Sequence, residues 1–103
     1  MITSAYLSNS PTKLIEGTST ESKAVTVAYF CNTTSSQITV NVYAAPNEAS
    51  VITNHKIYNQ MTVEAFDTLI IDTEKIILGA GDSLWADCSV TNAIISTISS
   101  VSI

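Results

Sequence analysis

Few side chains in this 103-residue chain are of types that do chemistry, and they are spaced apart. His55 is the single histidine. It stands beside Lys56 with no His, Cys or carboxylate at ligand spacing, so a metal or general-base role would need partners supplied by the fold, and an exposed or hydrogen-bonded histidine is the expectation. The serines lack a G-x-S-x-G elbow, which argues against a serine hydrolase. Asp67, Asp72, Glu74, Asp82 and Asp87 concentrate acid in the second half. No D-x-D-x-D-G loop accompanies them, so Asp82 reads as a turn former and Asp72 as a loop residue rather than as calcium ligands. Nothing sets two carboxylates across a cleft for glycoside cleavage. Cys31 and Cys88 form no C-x-x-C motif and read as free thiols, with a disulfide as the minor alternative. Asn32-Thr33-Thr34 matches a glycosylation acceptor but reads as a turn. No catalytic residue, metal site or cofactor is expected.

The aromatics are more informative. Trp85, the lone tryptophan, follows Leu84 in a run where Leu84 and Ala86 face one way and Trp85 and Asp87 the other. An aromatic beside an acid on an outer face suits a subunit interface, and it also suits a sugar platform using Trp85, Tyr43 or Tyr58. The interface reading is preferred because large aromatics are enriched there.

The elements that must position these residues read as strands. Ile2 to Leu7 and Thr12 to Glu16 are short strands around Ser8-Asn9-Ser10-Pro11, and a polar loop runs from Gly17 to Ser22. Lys23 to Cys31 alternates Val25, Val27, Tyr29 and Cys31 against Thr26, Ala28 and Phe30, apolar on both faces. Gln37 to Tyr43 opposes Ile38, Val40 and Val42 to Thr39, Asn41 and Tyr43. Pro46 marks a loop, and Val51 to Val63 reads as one or two strands. Phe66 to Asp72, Ile76 to Leu78, Ser83 to Val90 and Ala93 to Ile103 complete the set. In Gly79-Ala80-Gly81-Asp82 the glycines can supply positive φ and Asp82 can fold back onto the turn's amides, so a β-hairpin is expected there. About eight short strands at intervals near ten residues predict one all-β domain, residues 1–103, an antiparallel sandwich with a jelly roll as the leading candidate.

Composition agrees. Hydrophobic residues make up 46% and charged residues 13%, a strand-and-turn balance. There is no arginine, and four scattered lysines face nine acidic residues for a net charge of -5. Nucleic-acid binding needs clustered cations, so none is expected. No run approaches the ~20 apolar residues of a membrane-spanning helix, and the N-terminus lacks the pattern of a signal peptide. Synthesis in the cytoplasm and no membrane partner are the expectations.

Taken in order, VTVAYFCNTTSSQITVNVYAAP, IDTEKIIL, the glycine turn with its following GDSL and the terminal strand resemble a group of small virion proteins of tailed bacteriophages, over roughly Leu14 to Ile103. The resemblance implies a non-enzymatic structural component of a virion, made in the host bacterial cytoplasm, and the acidic balance then favours a place on the outer surface of the particle. Capsid decoration or cement protein is the first choice, bound to the major capsid protein, with a neck or tail component, anchoring rings or fibres, or a lectin-like receptor-binding module as alternatives. Apolar residues on both faces of Lys23–Cys31 and of Ala93–Ile103 exceed what one small core hides, so a homo-oligomer or obligate binding to the lattice is expected. Trp85, Tyr29, Phe30, Tyr43, Ile95 and Ile98 are the candidate interface residues, and Gly79, Gly81 and Asp82 the structural turn.

Overall fold

A computed structural model describes residues 1–47, 53–72 and 75–103. Nine strands and one short 3-10 turn make up the described elements: β1 Ile2–Tyr6, β2 Thr12–Glu16, β3 Lys23–Asn32, β4 Ile38–Ala45, the turn Thr53–His55, β5 Lys56–Val63, β6 Thr68–Ile71, β7 Ile76–Leu78, β8 Ser83–Cys88 and β9 Ile94–Ser102. All ladders between them are antiparallel. Of the Val51–Val63 expectation, residues 51 and 52 lie outside the described residues, as does Glu74.

The strands form two sheets. Sheet A runs β1-β9-β3-β6, with β7 also on β3, and sheet B runs β2-β8-β4-β5. If β6 and β7 are taken as one interrupted strand, the ladders join first to last, second to seventh, third to sixth and fourth to fifth. That is the pairing of a jelly roll, an antiparallel ribbon folded over into two Greek keys. The all-β sandwich expected from the strand spacing is therefore present.

Apolar residues at alternate positions of both sheets supply the core. Phe30, Val40, Ile94 and Leu7 are fully buried, with Leu84 and Ile98 beside them. Side chains alternate across a strand, so each inward residue implies an outward neighbour. In β3 the register shifts between Val25 and Val27. This bulge reverses the parity, so Val25 points inward while Val27, Tyr29 and Cys31 point outward, against the single unbroken alternation read from the sequence.

The glycine turn corrects a second expectation. β7 pairs with β3 in sheet A, and β8 pairs with β2 and β4 in sheet B. The turn is thus a crossing between sheets and not a hairpin. Its local chemistry is as anticipated: Gly81 has φ 80°, and the Gly79 amide donates to Asp82 Oδ2 at 3.0 Å. The other oxygen, Oδ1, accepts the Asn47 amide at 2.7 Å, tying in the loop after β4. Gly17 completes this knot. Its amide donates to the Asp82 carbonyl, its carbonyl accepts from Gly81, and a Cβ there would lie 2.2 Å from the Gly79 oxygen.

Asn32 closes the opposite end. Its Nδ2 donates to the carbonyls of Ser36, Val63 and Glu64, and its Oδ1 accepts from the Thr34 amide and hydroxyl. The side chain is buried at the end of β3 and braces the turn that follows at residues 33–36, the segment read as a turn from sequence.

Candidate interaction faces

A sandwich of two sheets has two outer faces, and here they differ in chemistry. On sheet A the ladders align outward residues in rows across the strands. One row is Tyr6–Ile95–Cys31–Thr68, and the next is Ser4–Thr97–Tyr29–Ile70. Then come Ile2–Ser99–Val27 and, beyond the bulge, Val101–Ala24–Ile77. None of these residues is charged. Ile2, Tyr6, Tyr29, Ile70, Ile77 and Val101 are all exposed and all share this face. The strands of sheet A contain no Asp or Glu, and their one lysine, Lys23, opens β3 with the parity of the inward Val25. Lys75 stands at the edge, where its Nζ donates to the Thr26 and Asp72 carbonyls beside the break between β6 and β7.

The outer face of sheet B is polar and aromatic. Its register sets Lys13, Trp85, Tyr43 and Lys56 in one row across all four strands. Lys13 Nζ lies 5.5 Å from the Trp85 ring centroid and Lys56 Nζ 5.8 Å from that of Tyr43, so each end of the row is a cation over an aromatic. Both rings lie along the sheet. Trp85 Nε1 donates to Ser83 Oγ at 2.7 Å, and the Tyr43 hydroxyl donates to Asp87 Oδ2 at 2.6 Å. Asn41 Nδ2 donates to Asp87 Oδ1 at 2.7 Å, and Asn41 Oδ1 accepts the Gln60 amide at a bulge in β5. Asp87 is 7% exposed, and both its oxygens have donors. Burial first, then the hydrogen bond to Asp87 and its charge, pushes the Tyr43 pKa up to about 12.

The six residues expected at one interface are divided among three places. Tyr29 and Ile95 lie on the outer face of sheet A, and Trp85 and Tyr43 lie on that of sheet B. Phe30 and Ile98 point into the core, where they are 0% and 1% exposed, which removes them from any surface. Tyr58 also packs inward against the core, so it does not join Trp85 and Tyr43. Apolar side chains alternating on both faces of a strand do not reveal which face is covered by the second sheet.

Cys31 and Cys88 are free and unpaired with each other, one on the outer face of sheet A and the other in the core from sheet B, so the disulfide alternative falls. Burial pushes the Cys88 thiol up. His55 ends the 3-10 turn. Among the described residues no three His, Cys, Asp or Glu side chains gather as a metal site, and no helix is long and apolar enough to cross a membrane. Sequence reasoning missed Gly17, whose constraint comes from backbone distant along the chain, and Asn41, whose amide links Asp87 to the β5 bulge.

A cleft of about 340 Å³ lies beside the glycine turn, lined by Glu16, Gly17, Thr18, Ser19, Asn47, Ala80 and Gly81. It holds no aromatic side chain and one carboxylate, a weaker chemical feature than either face. Comparison with known proteins finds no matching family model, curated protein or solved structure.

Proposed function

We propose that this chain is a non-enzymatic structural protein of a tailed-phage virion, a decoration or cement protein that sits on the capsid and works by docking. The observation that supports a binding role rather than a chemical one is the uncharged outer face of sheet A, open to a neighbouring subunit of the lattice, whether capsid or another copy of this chain. Contiguous apolar surface rimmed by polar residues marks interaction sites, because water-exposed apolar area is hidden favourably at about 25 cal/mol per Å². The phage assignment rests on the order of sequence segments described above. A jelly roll is compatible with it, though that fold serves many functions. A neck or tail position is the alternative within the same class.

Mass spectrometry of purified particles from a phage encoding the chain, with antibody labelling in electron micrographs, tests this reading. The expected result is a stoichiometric virion protein with label over the head. Label at the neck or tail selects the alternative, and absence from purified particles overturns the proposal.

A second reading, glycan recognition, is favoured by one observation: Trp85 is half-buried on the outer face of sheet B, where a sugar ring could stack. Because Trp85 is the sole tryptophan, its fluorescence reports directly on that face. A saturable change on titration with bacterial surface oligosaccharides supports this reading, and no change across a glycan panel removes it.

A further inference from the structure

We infer that the outer face of sheet A is covered by a second copy of this chain, stacked face to face about a two-fold axis that runs along the strands between β9 and β3. The inference rests on the reading of that face as a docking surface and names its occupant.

The outward rows of sheet A span four strands about 4.8 Å apart and four outward positions about 6.7 Å apart along them. That is a footprint on the order of 500 Å² per copy, which suits a concentration-dependent dimer rather than the about 800 Å² per partner of a standard stable one. Charge then selects the partner. A chain of net charge -5 repels its own copy, so the two meet most readily where acids are fewest. The strands of sheet A contain none and have Asp67 and Asp72 only at the two ends of the edge strand β6, while Glu16 and Asp87 lie in sheet B and Asp82 at the glycine turn. A basic partner would be met best by a face that presents acids, since complementary charge steers and fixes such contacts. An uncharged face on an acidic protein suits an equally acidic partner.

The rows supply the geometry. An axis along the strands between the two central ones maps each row onto itself in reverse. In the first row Tyr6 then faces the partner's Thr68, and Ile95 faces the partner's Cys31. In the second, Ser4 faces the partner's Ile70 and Thr97 the partner's Tyr29. Further along, Ser99 faces the partner's Val27 and Val101 the partner's Ala24. Each pair places a larger side chain over a smaller one, which is the condition for two layers to interdigitate without voids or clashes. A two-fold contact uses the same patch on both copies, so one self-complementary row pattern satisfies both sides. Stacked sheets lie about 10 Å apart and strands about 4.8 Å apart, so the two Cys31 Cα atoms come to roughly 11 Å of each other across the axis.

The experiment uses the full chain alone. Light scattering and sedimentation equilibrium should give twice the 11.0 kDa of one chain. Tyr29→Asp and Ile70→Asp should each weaken the dimer at least 100-fold, with Trp85→Ala leaving it unchanged. Ile70 is an exposed edge residue, so its variant remains informative if Tyr29→Asp does not fold. Ser4→Lys should restore much of the dimer in the Ile70→Asp variant, because the proposed axis sets Ser4 opposite the partner's Ile70. A monomer at 100-fold the concentration of an ordinary micromolar dimer overturns the inference. So does a dimer that a well-folded Ile70→Asp leaves intact. A dimer sensitive to Ile70→Asp that Ser4→Lys does not rescue overturns the proposed axis. A monomer that is nevertheless present in purified virions leaves the virion reading standing, so the two can fail separately.

Discussion

The outer faces of the two sheets solve the problem of exposure in opposite ways. Sheet B buries its outward aromatics by itself: Tyr43 is 7% exposed because Lys56 and the polar network around Asp87 cover and hold it. Sheet A leaves its equivalent residues open, with Tyr29 at 38% and Ile70 at 52% exposed in the same relation to their strands. The difference lies in the neighbours. Asp87 gives Tyr43 an acceptor and fixes its ring along the sheet, whereas Tyr29 stands between Thr97 and Ile70, which cannot anchor it. Order on one face is intramolecular, and on the other it awaits a partner.

The change with the largest expected effect erases this contrast. Gly17 lies where the end of β2 meets the turn crossing between the sheets, and a Cβ would collide with backbone, 2.2 Å from the Gly79 oxygen and 2.7 Å from the Leu78 oxygen. Gly17→Ala should therefore destabilise by roughly 3 kcal/mol or more, since backbone offers no side chain to swing away. Gly79→Ala should be tolerated better, because its Cβ would meet only Asp82 Oδ2 at 3.4 Å. Thermal melts of the two variants give the comparison, and equal midpoints would remove the claim of a packed knot.

The next effect belongs to sheet B. Asp87→Ala leaves the Tyr43 hydroxyl and the Asn41 amide without their acceptor, and hydrogen bonds to a charged group are worth about 1.5–3 kcal/mol, so a loss of about 2–3 kcal/mol is expected. The same pair gives a pH signature. Tyr43 has a folded pKa of about 12, above its ordinary value of 10. Its contribution to stability is therefore full below pH 10 and is lost as pH rises through about 12. Tyr43→Phe should flatten this alkaline step in urea melts taken between those limits. An identical step in the Phe variant would assign it to another group.

These two faces also mark how far the sequence could be read. Thr12–Glu16 and Ile76–Leu78 were legible to the residue, because turn residues bracket short apolar runs and such boundaries are local. The outward direction of Trp85 and Asp87 was legible too, since β8 keeps strict alternation. The fate of Phe30 was not. In β3 both faces are apolar and a bulge resets the parity, so the strand's pattern could not say that Phe30 goes inward and Tyr29 outward. The glycine turn was misjudged for a related reason. Its φ and its Asp82 contact are local and were readable, but whether the next strand returns to the same sheet or crosses to the other depends on β3 and β4, far away in sequence.

A smaller effect tests the autonomy of sheet B. Trp85 is half-buried, held by Ser83 and covered by Lys13. Trp85→Ala should cost about 1–2 kcal/mol, below the ~3–5 of a fully buried aromatic, because part of its surface already meets water. Association should not change, since the residue lies on the face away from sheet A. A loss of association in a folded Trp85→Ala would reverse the roles assigned to the two faces.

The smallest expected effect is on sheet A. Ile70 sits on a four-residue edge strand, pairs with Tyr29 and has no polar partner to strand. Exposed substitutions away from caps, cores and networks usually stay within about 0.5 kcal/mol. Ile70→Ser should therefore leave the melt of the dissociated chain, taken at high dilution, almost unchanged. At high concentration the same variant should melt below the parent, because a folded state stabilised by association gains by mass action and the variant gains less. The concentration dependence of the difference is thus the informative quantity. A deficit equally large at every dilution would mean that Ile70 supports its own sheet rather than a partner, and the contrast between the two faces would dissolve.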